Sequence, residues 1–279
     1  MKIAYLILAH KSPQQLARLV HALETPSARF FLHWDAKSGP PGDTLRGLAS
    51  RPGVHLVGPS VRVYWGDFSH IRATLLLLRE AVNHSERFDY FFLISGQDYP
   101  IRSNESIQTL LAAAEGRSFV YHWKLGPTQI DRIRRWHFCI SGRWLRLPPL
   151  RSQTRFIARR FPEAIEPFVG YQWWCLHRSA VDEILTAFER DWKVIKWYRW
   201  SLCPDEMVFQ TILANSSLRD RMVNRPLTYA DFETGPEHPR VIRLEDVKKL
   251  AEVDAVFARK FDDPSGKLLD VIDRDFRSR

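Results

Sequence analysis

Cysteine is scarce in this chain: Cys139, Cys175 and Cys203 are the only three among 279 residues, and none stands close to another. An odd, dispersed trio supports neither a zinc site nor a framework of bridges, so a reducing, cytoplasmic setting is expected. Long apolar runs are missing as well. In the opening MKIAYLILAHKSPQQ, Lys2 precedes an apolar stretch of about six residues, too short for a signal-peptide core and far below the roughly 20 that span a bilayer. Any membrane contact is therefore expected to be peripheral. Low-complexity linkers, internal repeats and segments joining low hydrophobicity to high charge are also absent, which predicts one ordered domain over residues 1–279.

Apolar residues make up 45% of the sequence, enough for a substantial core. The charge balance is basic, +9 with a pI near 9.6, so the expected partners are anions: nucleic acid, acidic lipid headgroups or a phosphorylated small molecule. The basic residues concentrate at Arg132, Arg134, Arg135, Arg143, Arg146, Arg151, Arg155, Arg159 and Arg160. Such a run reads first as a solvated face, and it also suits an enzyme resting on an anionic surface such as the inner membrane. A nucleic-acid-binding protein is a competing class, although no RRM, KH or zinc-knuckle pattern supports it.

Strand and helix signals alternate through the first third of the chain. Lys2–Leu8 reads as an apolar strand, and Ser12-Pro13 as an N-cap and first helical residue for a helix to Leu23. Phe30–Trp34 and Val54–Val57 read as strands, Ser69–Val82 as a helix, Tyr90–Ser95 as a buried strand ended by Gly96, and Asn104 as the cap of a helix to Ala114. Arginine, proline and aromatics then interleave without a period over 123–168, an expected acceptor-facing insertion. A strand over Tyr171–Leu176 follows, with helices over Ser179–Arg190, Pro204–Asn215 and from Leu244, a loop at 235–239 and a polar helical tail. The pattern predicts an α/β fold with a mostly parallel central sheet and helices on both faces. Ligands of such sheets bind beyond the carboxyl ends of the strands, which singles out His10, Asp35 and the Gly96-Gln97-Asp98-Tyr99 segment. Asp35 can accept from ribose hydroxyls, while Asp98 reads either as a sugar or acceptor contact or as a turn-stabilising acid.

Seven segments, in order, carry a resemblance: AYLILAHKSPQQLARLVHAL, HWDAKS, YWGDFSHIRATLLLLREA, YFFLISGQDYPI, GYQWWCLHRSAV, CPDEMVFQTIL and FARKFD. Together they span residues 4–262, and the chain resembles the Core-2/I-branching β-1,6-N-acetylglucosaminyltransferases and the related peptide O-xylosyltransferases. The resemblance implies a GT-A-like glycosyltransferase that inverts the anomeric carbon of a UDP-sugar, with N-acetylglucosamine or xylose transferred and no metal or cofactor required. The acceptor expected is a glycan or lipid-linked glycan of a surface polysaccharide. A non-catalytic carbohydrate-binding relative is the other alternative.

Inverting transfer needs a single base to take the acceptor's proton. By motif position that base is Glu206, and its neighbour Asp205 reads as the helix N-cap and a further acceptor contact, against the alternative that both acids merely complement a helix dipole. No strand end carries the Asp-x-Asp of metal-dependent relatives. Lys37 stands where the second acid would follow Asp35, and Asp273-Arg274-Asp275 in the tail reads as a solvated helical face. The resemblance instead implies cations on the diphosphate, Lys260 with Arg240 or Arg243. His10 and Asp35 are the nucleotide candidates, and Gly66 beside Trp65 is the position for close backbone approach to the donor. Consecutive Trp173 and Trp174 would face opposite sides of a strand, one in the core and one on a sugar ring, with Gln172 and Arg178 as flanking polar contacts.

Overall fold

The computed structural model describes the chain apart from residues 128, 141, 145–158, 160, 191–192, 234–237 and 279. Its first half runs β1 (Ile3–Ala9), α1 (Pro13–Leu23), β2 (Ala28–Trp34), α2 (Asp43–Ala49), β3 (Val54–Leu56), α3 (Ser69–Asn83), β4 (Tyr90–Ser95), β5 (Asp98–Pro100), α4 (Asn104–Ala113), β6 (Ser118–Phe119) and β7 (His122–Lys124). After α5 (Asp131–Arg134) and the hairpin β8 (Cys139–Ile140) to β9 (Arg143–Trp144) come β10 (Phe168–Gly170), β11 (Cys175–His177), α6 (Arg178–Glu189), α7 (Lys193–Tyr198) and α8 (Val208–Ala214). The last elements are β12 (Met222–Val223), β13 (Thr228–Ala230), α9 (Val247–Glu252), β14 (Phe257–Arg259) and α10 (Lys267–Ile272).

Seven strands form the central sheet in the order β12-β6-β11-β4-β1-β2-β3. β3, β2, β1 and β4 pair in parallel, whereas β11 runs antiparallel to both β4 and β6. The expected α/β architecture, a mostly parallel sheet with helices on both faces, is what the chain forms. β1 is apolar along its whole length because both of its faces are covered. Ile3, Tyr5 and Ile7 pack with Leu16 and Leu19 of α1, Leu45 of α2 and Leu111 of α4. Ala4 and Leu6 face the other way, onto Ile71 and Leu78 of α3, Val181 of α6 and Phe209 of α8.

A second sheet, β13-β14-β5, was not legible in the sequence. β14 pairs in parallel with β13 and antiparallel with β5, placing Arg259 opposite Asp98. The C-terminal Phe257–Arg259 segment is thereby laid beside the turn that follows β4.

Several expected elements differ. Residues 171–174 are irregular and the strand there is Cys175–His177, because only that stretch registers against Phe92–Tyr90 of β4. The helix expected from Pro204 is broken: Pro204–Glu206 is a 3-10 turn, Met207 interrupts it, and α8 follows. Ser12 is left-handed, with φ 52°, and makes no side-chain cap. Ser103 rather than Asn104 caps α4, accepting from the Ser106 N–H. In the tail, Asp273 is no free solvated acid: it accepts from Arg18 Nη2 at 2.7 Å and from the Tyr99 hydroxyl at 2.9 Å. Among the described residues no helix is long and apolar enough to cross a membrane.

Candidate active site

A cavity of about 740 Å³ opens at the carboxyl ends of the parallel strands. Ala9 and His10 reach it from β1, Asp35 and Lys37 from the loop after β2, and Ser95 and Gln97 from the end of β4. Of the residues singled out in the sequence, His10, Asp35, Gln172, Trp173, Glu206 and Lys260 all line it.

Glu206 enters from the 3-10 turn. Its Oε2 accepts from Arg132 Nη2 at 2.7 Å, and Arg132 also donates to the carbonyls of Leu202 and Cys203, clamping the turn to α5. Burial pushes the Glu206 carboxyl above its ordinary pKa, the negative charge of Asp205 adds to this, and Arg132 opposes it. Asp205 makes no helix-cap hydrogen bond among the described residues, and its Oδ2 lies 3.1 Å from Nδ1 of His70, a cavity-lining residue in the first turn of α3.

Lys260 also lines the cavity, just after β14. Burial lowers its pKa, as do Lys11 and Arg259, while Asp262 raises it. Arg259, which also lines the cavity, lies with its guanidinium 4.1 Å from the centre of the Trp173 ring, and its Nε is 3.4 Å from Asp98 Oδ1. Asp98 itself is fully buried. It accepts from the Ser95 N–H at 2.9 Å, and burial pushes its pKa up to about 6 against the pull of Arg259. It stands behind the cavity as a partner for Arg259.

The structure does not bring Arg240 or Arg243 to the cavity. Arg240 is held by carboxylates instead, donating to Asp231 Oδ2 at 3.1 Å and Asp246 Oδ2 at 2.8 Å. At Arg243 the backbone N–H donates to the same Asp246. Gly66 also sits outside the lining: with φ 71° it faces Cys203, Leu202 and Trp144, so the close approach there is to the turn bearing Glu206. Trp174 is core, 2% exposed and packed edge-on to Phe209, while Trp173 faces the cavity. Neither tryptophan is on a strand, and the two still differ in surroundings, Trp174 lying in the core and Trp173 on the cavity. Arg178 pairs with Asp182 at the far end of β11, opposite the start of β4, and cannot reach the site. The Gln172 side chain lines the cavity and its Nε2 has no hydrogen-bond partner among the described residues.

Arg259, His70, Arg132 and the aromatics Trp123 and Phe232 also line the cavity and were not singled out as site residues. A signal existed for Arg259, an arginine inside the apolar run VFARKF, which asks for a buried partner. The arginine cluster is not one solvated face either. Arg132 turns into the cavity, and Arg159 is buried between the Trp136 and Trp197 rings, donating to the carbonyls of Trp197 and Trp200. Arg146, Arg151, Arg155 and Arg160 lie outside the described residues.

Residues 3–252 match the profile of the family described as "Core-2/I-Branching enzyme". The chain belongs to this family. Among its relatives, xylosyltransferase 1 of Rattus norvegicus is 27% identical over 83% of the chain and 28% of the relative. Beta-glucuronosyltransferase GlcAT14A of Arabidopsis thaliana is 26% identical over all of the chain and 65% of the relative. The chain thus spans about a third of the animal xylosyltransferases it matches, with 33% of rat xylosyltransferase 2 covered. Among solved structures, a CMP:2-keto-3-deoxy-manno-octonic acid synthetase complexed with CTP aligns over 70% of this Core-2/I-branching family member and 85% of its own chain, with a TM-score of 0.32 and 10% identity.

Proposed function

We propose that this chain is an inverting glycosyltransferase of the GT-A type that moves a sugar from a UDP-sugar to a hydroxyl of a glycan acceptor without a bound metal. The observation that carries this reading is the placement of Glu206 and the Lys260–Arg259 pair on one cavity at the carboxyl ends of the sheet. Glu206 takes the acceptor's proton as its oxygen attacks the anomeric carbon. Lys260 and Arg259 receive the charge that develops on the departing diphosphate, a role in which fixed cations substitute for an ion. Arg259 thus replaces Arg240 and Arg243 as the second cation, since Arg240 is engaged by Asp231 and Asp246. His10 and Asp35 border the nucleoside, and Trp173 offers its face to a sugar ring.

The names of the relatives extend the donors to test. UDP release from UDP-xylose, UDP-N-acetylglucosamine and UDP-glucuronic acid, each with EDTA or manganese, should show turnover of at least one that survives EDTA. Activity lost in EDTA and restored by manganese would remove the metal-free account. Glu206→Gln should lower turnover by about 100-fold or more while leaving UDP affinity within about twofold. Near-normal turnover in that variant would remove Glu206 as the base.

A further inference from the structure

Asp205 and His70 form a pair that the transfer mechanism above does not use. The Asp205 side chain is only 8% exposed, its Oδ2 lies 3.1 Å from His70 Nδ1, and its Oδ1 has no hydrogen-bond partner among the described residues. Carboxylate oxygens accept, so the proton in this contact is the one on Nδ1, and in the neutral ring the other nitrogen, Nε2, is left as an acceptor. The His70 ring lines the cavity, as does Glu206, the residue next to Asp205. One wall therefore presents a carboxylate and an imidazole acceptor together. Stability alone explains this poorly. Burying a carboxylate is costly, an unmatched Oδ1 adds to the cost, and an apolar pair would fill the space without either.

We propose that His70 is a specificity-determining contact to the acceptor, positioned by Asp205. As the acceptor oxygen bonds to the anomeric carbon, the bond from that carbon to the diphosphate breaks with its electron pair leaving on UDP. The proton of the attacking hydroxyl passes to Glu206. His70 Nε2 accepts a hydrogen bond from the adjacent hydroxyl of the same ring and takes no proton. The acceptor class is then a pyranoside with two neighbouring hydroxyls rather than an isolated hydroxyl such as that of serine. This rests on the reading of Glu206 as the base.

The test measures UDP release from the three donors above with methyl β-glycosides of galactose, glucose, xylose and N-acetylglucosamine, and with a Ser-Gly peptide as the single-hydroxyl comparison. At least one glycoside should stimulate release over donor alone, and the peptide should not. For that glycoside His70→Phe should raise KM about tenfold or more with kcat changed less than about threefold, the effect of one lost contact to a buried polar group. His70→Gln, whose amide oxygen can accept the same bond, should recover part of the loss. Calorimetric UDP affinity reports whether each variant keeps a folded site, and where His70→Phe does not, the same rise in KM is required of Asp205→Leu. Preference for the peptide, no stimulation by any glycoside, or an unchanged KM overturns the proposal and leaves the donor reading standing. Absence of UDP release from every donor, alone or with acceptor, overturns both.

Discussion

Glu206 is held between opposing charges. Asp205 and burial favour its protonated form, while the Arg132 guanidinium at 2.7 Å favours the carboxylate. A base acts only when ionised, so the acid limb of the pH–rate profile should lie above the ordinary carboxylate range. Arg132→Met removes the stabilising cation, and the limb should move to still higher pH; a shift to lower pH would contradict the assignment. Asp98 gives a stability counterpart. Its folded pKa of about 6 stands above the ordinary carboxylate value of 3.8, so its contribution is fully present below the lower value and is lost as pH rises through the upper one. Asp98→Asn should flatten the dependence of Tm on pH between about 4 and 6.5, a difference on the order of 3 kcal/mol at most. An unaltered slope would show that Asp98 does not titrate in that window. Glu206 and Lys260, which line the cavity, could be singled out in the sequence because each sits in a motif. Arg259 and His70 could not, because their placement depends on partners 161 and 135 positions away, Asp98 and Asp205 respectively.

The turn that carries Glu206 is built on unusual backbone. Cys203 is left-handed at φ 48° immediately before Pro204, and its N–H donates to the Gly66 carbonyl at 2.8 Å. A β-carbon on Gly66 would lie 3.1 Å from Trp144 and 3.3 Å from Cys203 Sγ, at a φ of 71° that favours glycine. Gly66→Ala should therefore destabilise the fold by about 1–3 kcal/mol, lowering Tm by several degrees, and should reduce turnover more than UDP affinity. A fully active, equally stable variant would show that Gly66 does not set the turn. Elements with a strong period, such as α1 and α3, and the apolar strands β1 and β4 could be read from sequence because local pattern and burial agree. The break at Met207 and the three-residue strands β5, β13 and β14 could not, since so short a segment shows no period and forms only through pairing at long range.

At the scale of the whole molecule, the sheet determines where the chemistry can occur. The ends of β1, β2 and β4 open on one cavity, and β14 brings the chain's C-terminal cations to it. The net charge of +9 acts over the same distances and favours the approach of anions. UDP affinity should accordingly weaken as salt rises from about 50 to 500 mM, and Lys260→Ala should weaken it about 10- to 100-fold at low salt. The most direct measurement is a crystal structure of the protein soaked with UDP in EDTA. The pyrophosphate should lie within hydrogen-bonding distance of Lys260 and Arg259, in the same cavity that Glu206 lines. Pyrophosphate bound away from Lys260, or remote from Glu206, would contradict the account.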